Sequence, residues 1–129
     1  MTDRTEIRQA VADTIANLFQ RCEPFRPHWV EPSDLPAAFV YLDSGTPKIT
    51  HSQGYDYDSI LFIELMAHGY TDLEAELDAF EQQVNQRLEA DMTIGGVLEG
   101  LVRSDFQYER DPDTAVTSLT LSYQISYEE

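Results

Sequence analysis

Between Thr71 and Glu81 the chain reads "TDLEAELDAFE", which places Asp72, Glu74, Glu76, Asp78 and Glu81 in one short run. Crowded carboxylates can do three things. Asp72 and Glu74 offer oxygen ligands for a hard cation, Mg²⁺ or Ca²⁺, that keeps part of its water shell. Paired carboxylates can also share the acid and base roles of glycoside hydrolysis, although no aromatic or polar sugar platform accompanies these. The third use is electrostatic. Acids in a first helical turn complement the helix dipole, and the others solvate an exposed face. Glu74 and Asp78, one turn apart, could also receive a basic side chain from a neighbouring molecule.

Other reactive groups are dispersed. His28, His51 and His68 fall in a proline-rich connection, a loop and a strand end, without the spacing of a metal-binding helix. Cys22 stands without an evident base, as a packed thiol does, and excludes an internal disulfide. "SGTPK" has one glycine and one lysine but not the glycine-rich loop that cradles phosphate. Arg4 and Arg8 make a rare basic spot on the flank of the first helix, and Arg8 is the residue expected to bridge to a neighbour's acidic helix start.

The elements that must carry these groups are legible from periodicity. A helix is predicted from Arg4 to about Phe19, opened by Asp3 and Glu6, with Ile7, Val11, Ile15 and Leu18 on one face. Four prolines stiffen "EPFRPHWVEPSDLP", with Trp29 pinning it to the body. "AAFVYL" reads as a buried strand, and "DSGTPKITHSQG" (43–54) as a loop that could become ordered on assembly. "YDYDSILFIELMA" reads as a central strand covered on both sides. The second helix spans Asp72 to Ala90, capped by Thr71 and Glu74, with Leu73, Leu77, Phe80, Val84 and Leu88 buried. "TIGGVLEGLV" is a short helix or turn loosened by glycines. "DFQYER" then turns through "DPDT" into a last strand, whose alternation puts Ala115, Thr117, Leu119, Leu121, Tyr123, Ile125 and Tyr127 on one face. The fold class is α+β: one domain over residues 1–129, with a mainly antiparallel sheet and two principal helices packed on one face.

Length and charge narrow the function. A chain of 129 residues with 42% hydrophobic residues can form one core and contains no apolar run of membrane-spanning length. Its N-terminus is polar and charged, not a secretory signal, so synthesis in a cytoplasm is expected. Eight basic residues face twenty-four acidic ones, a formal charge of −16. Phosphate neutralisation needs lysine and arginine, so sequence-specific nucleic-acid binding and anionic membranes are both disfavoured. An acidic mimic of nucleic acid stays open on charge alone.

Four blocks carry a resemblance. "TEIRQAV", "LPAAFVYL", "ELDAF" and "YERDPD…LTLSYQISYE", spread in order from residue 5 to residue 128, resemble the tail terminator family of long-tailed phages. The likeness is greatest to the minor tail protein U group of lambda-like phages. It implies a non-enzymatic α+β subunit of the virion tail, assembled in the host cytoplasm. Such a subunit closes as a homohexameric ring on the tail tube protein, stops tube growth, meets a head–tail joining protein and lets DNA pass through the lumen. It also implies that acids at the start of the second helix, here Asp72 and Glu74, take part in Mg²⁺-assisted ring formation, with no other cofactor. Six copies of a −16 chain carry −96, so free subunits are expected to stay monomeric until the tube end or screening by cations brings them together. The alternatives are a head–tail joining or tail-tube subunit of the same virion, or a small cation-dependent hydrolase built on the acidic helix start.

Overall fold

A computed structural model describes residues 2–51 and 54–129, with side chains left undescribed at 49–51 and 54. Helix α1 (Arg4–Ile15) opens where Asp3 accepts a hydrogen bond from the Glu6 amide at 2.7 Å, and a 3₁₀ turn extends it through Leu18. Ile7, Val11, Ala12 and Ile15 are buried, and Leu18 packs at their margin. Helix α2 (Leu73–Ala90) buries Leu73, Leu77, Val84 and Leu88, while Phe80 is only half-buried, its ring 4.9 Å from that of Phe19. The cap of α2 differs from the expected one. Asp72, not Thr71, accepts from the Ala75 amide, a one-residue shift of the kind helix ends commonly show.

Five strands form one sheet in the order β1-β2-β3-β5-β4. They are β1 (Arg21–Glu23), β2 (Ala37–His51), β3 (Gly54–His68), β4 (Gly100–Asp111) and β5 (Val116–Glu128). All pairs are antiparallel except β1 with β2. Both helices lie on one face, over Ala38, Val40, Leu61, Ile63 and Leu65 of β2 and β3 and the apolar alternates of β5. Burying each of the valine, leucine and isoleucine side chains contributes about 1.5–3 kcal/mol, so the helix face of the sheet is the core. β5, centrally placed between β3 and β4, shows the alternation expected of it: Leu119, Leu121, Tyr123, Ile125 and Tyr127 are buried.

Three expectations are corrected. The segment 43–54 is strand rather than loop as far as it is described: β2 runs on through His51 and pairs with β3, and Ser52 and Gln53 lie outside the described residues. Turn-forming residues are tolerated there because β1 covers only Ala37–Phe39, leaving the rest of β2 an edge, where a proline such as Pro47 is accommodated. Gly45 follows a register shift, and a Cβ there would collide with Ser59 Oγ, so glycine permits the close approach. Trp29 does not pin the proline-rich segment; it is 72% exposed. Arg26 does that work, its guanidinium 5.4 Å above the Tyr41 ring and 3.4 Å from Glu64. Finally, β3 is central, but only one of its faces carries helices. Ile60, Phe62 and Met66 on the other are half-buried, sheltered partly by the proline-rich segment.

After α2 the chain turns through 91–98, where Ile94, Gly95 and Gly96 take positive φ and the Asp91 carboxylate accepts from the Thr93 and Gly95 amides. The Thr93 hydroxyl, which donates to the same carboxylate at 2.7 Å, and then the Gly95 and Thr93 amides hold the Asp91 carboxyl below its ordinary range. Gly100 already belongs to β4.

Candidate functional site

The acidic ridge of α2 faces β4, and the pairing of β4 with β5 decides what it meets. Arg103, Tyr108 and Arg110 sit opposite Tyr123, Leu119 and Thr117, so they point to the helix side of the sheet. There Arg110 pairs with Glu74, Tyr108 donates its hydroxyl to Asp78, and Arg103 lies 2.5 Å from Glu89. The Tyr108 hydroxyl is pushed up to about 12, first by its bond to Asp78 and then by desolvation. The Tyr123 hydroxyl, buried below this row, donates to Asn85 Oδ1 at 2.5 Å. Arg87 closes the other side, donating to Thr14 O and Asn17 Oδ1 and tying α2 to α1.

Glu74 and Asp78, expected at a subunit contact, thus already have partners in their own chain. Asp72 and Glu74 line a cleft of ≈ 500 Å³ with Tyr70, Arg110 and Asp111, yet Asp72 is committed to the helix cap and Glu74 to Arg110. Arg8 differs. Its Nη2 lies 3.3 Å from Thr5 Oγ1, and its buried Nε has no hydrogen-bond partner among the described residues. The Cys22 sulfur lies 3.6 Å from Ala12 O, and burial pushes the thiol up to about 11, as befits a packed cysteine.

Sequence reading missed a second acidic group. Among the described residues, carboxylate oxygens of Asp56, Glu99 and Glu128 lie within 4.8 Å of one another. Pairing of β3 with β5 sets Asp56 opposite Glu128, and the Glu99 amide donates to Ser126 O as the chain approaches β4. Desolvation, then the charges of Asp56 and Glu128, raise the Glu99 carboxyl. Three residues so distant in sequence leave no motif; only the strand register joins them.

The open face of the sheet directs Asp58, Glu109, Thr120, Ser122 and Gln124 away from the helices, beside the half-buried Ile60, Phe62 and Met66. Its few cations are engaged: Lys48 pairs with Asp58, and Arg26 with Glu64. Among the described residues, none of these contacts makes a nucleophile–base pair. The arrangement makes surfaces: one row neutralised by its own chain, one cluster of like charges, and two strand edges, β4 and most of β2, with free backbone groups.

Comparison with known proteins bears on such surfaces. The model of a family described as phage minor tail protein U matches residues 2–127. A solved structure described as the virion of a native gene transfer agent particle is similar over 95% of this chain and 95% of its own, with a TM-score of 0.51 and 12% identity, a likeness of fold. No curated protein sequence matches the chain.

Proposed function

Because the chain belongs to the phage minor tail protein U family, a family of structural tail proteins, we propose that it is the terminator of the tail: a subunit that closes as a hexameric ring on the tube end, halts polymerisation and presents a surface for head joining. The family match over nearly the whole chain carries this reading. The architecture supports it. A terminator needs a lateral contact that closes in a ring and two dissimilar ends, and this subunit has an open sheet edge on each side and faces of opposite character. Sixteen net negative charges per subunit oppose closure until cations or the tube end intervene.

Arg8 bridges to the neighbour's α2 in this reading, where it would share Glu74 or Asp78 with their present partners; its unpartnered Nε supports the assignment. Asp72 and Glu74 would hold any assisting Mg²⁺, and the tube protein and a head–tail joining protein are the ring's axial partners. Negative-stain imaging of concentrated protein, with and without Mg²⁺, tests the proposal. Six-fold rings favoured by Mg²⁺ are expected, whereas long filaments would mark a tube subunit instead. Arg8→Glu should abolish rings and leave the monomer's Tm nearly unchanged. Equal loss of both would make Arg8 a residue of the fold.

A further inference from the structure

Where the proline-rich segment crosses the open face of the sheet it leaves a groove of ≈ 710 Å³. Met66, Val116 and Pro112 give it apolar walls, Glu64, Glu109 and Asp111 its carboxylates, and Arg110 also lines it. Trp29 stands at the rim, its indole N–H held by Glu31 at 2.8 Å while the ring remains exposed. Glu64 is buried and already has Arg26 at 3.4 Å. Glu109 is exposed and has no cationic partner among the described residues, because the adjacent Arg110 turns to the helix face and pairs with Glu74. The two carboxylates sense each other: the charge of Glu109 helps to raise the Glu64 carboxyl, after burial and against Arg26.

An exposed indole beside an unneutralised carboxylate, over apolar walls, is complementary to one kind of group. A lysine or arginine can lay its methylene stem on the apolar wall, stack its cation on the ring and pair with the acid. We propose that this groove docks an extended segment of a partner protein that presents an arginine or lysine between apolar residues, with the cation between Trp29 and Glu109 and the flanking side chains on Met66 and Val116. The −16 charge of the chain draws such a segment in. A second copy is a poorer occupant, since most of its eight basic residues are held by acids of their own chain, Arg21, Arg103 and Arg110 among them. The inference does not depend on ring formation.

Trp29 is the sole tryptophan, so its emission reports on the site. Titration of the intact protein with the peptide acetyl-Ala-Leu-Arg-Leu-Ala-amide should give a saturable change in emission, with amide shifts centred on Met66, Val116 and Ser118. Replacing the peptide's arginine by citrulline should weaken binding roughly fivefold or more, as the loss of a charge-assisted pair does. Glu109→Gln should weaken the arginine peptide by a similar factor while leaving Tm unchanged. Raising salt from about 50 mM to about 500 mM should weaken it further. Equal binding of the two peptides, an unaffected Glu109→Gln variant, shifts centred instead on Asp56, Glu99 and Glu128, or no saturable binding would each overturn the proposal. The peptides and the Glu109→Gln variant are read on the free subunit, so their failure leaves the terminator reading standing, and failure to form rings leaves the groove standing.

Discussion

Successive residues of β5 live in different environments. Leu119 points at the helices and is fully enclosed, whereas Thr120 points away and is only half-buried. The same division holds for charge. On the helix side, Glu74, Asp78 and Glu89 each meet a partner on β4; on the open side, Glu109 meets none among the described residues, and Asp56, Glu99 and Glu128 crowd together. One face of the sheet is arranged for the subunit itself. The other pairs Glu64 with Arg26 and Asp58 with Lys48 and leaves Glu109 without a cation among the described residues.

The strongest test of that division is substitution of adjacent residues. Leu119→Ala should lower stability by about 3 kcal/mol through lost burial and a residual cavity. Thr120→Ala should change it by less than about 0.5 kcal/mol. Urea unfolding of both variants measures the contrast, and similar losses would break it. Tyr123→Phe comes next. It leaves the buried Asn85 Oδ1 without its donor, a cost of about 1–3 kcal/mol, again read by urea unfolding. The exposed pair Arg110–Glu74 should couple by no more than about 1 kcal/mol in a double-mutant cycle. A much larger coupling would mean that the helix-side row holds the fold together rather than merely neutralising α2.

The smallest effect concerns pH and the crowded acids. A carboxyl raised in the folded state contributes stability that is fully present below its unfolded pKa and is lost as pH rises through the folded one. Glu99 is raised, so its contribution should fade from about pH 4 upward, across the carboxylate range. Glu99→Gln removes that loss, and its Tm advantage over the native chain should grow between about pH 4 and about pH 7. An advantage that shrinks over the same interval would show that the crowding has been misjudged.

Sequence reading captured what periodicity encodes. The 3.6-residue stripes of α1 and α2 and the two-residue alternation of β5 are local records of which side faces the core. They yielded the fold class and the helix-side core, while Phe80, Trp29 and the Ile60, Phe62 and Met66 face of β3 proved more exposed than expected. The continuation of β2 through 43–51 escaped because its residues favour turns, and its strand state is imposed by β3 across the ladder. The contacts of the acidic run escaped for a related reason. Its residues and helix were legible, but their partners Arg103, Tyr108 and Arg110 reach α2 only through the register of β4 on β5. The groove beside Trp29 combines three segments, and tryptophan by itself argued for burial.

The strand order has a consequence for how the molecule is made. β3 and β4 are joined only by β5, which leaves the ribosome last of the three. About 60 residues separate the end of β3 from the end of β5, so at roughly 5–20 residues per second the nascent chain spends several seconds with its central strand open on one side. During that interval Leu61, Ile63 and Leu65 lack their lasting neighbours, which makes translation speed and chaperone supply, rather than the stability of the finished subunit, the natural limits on its yield.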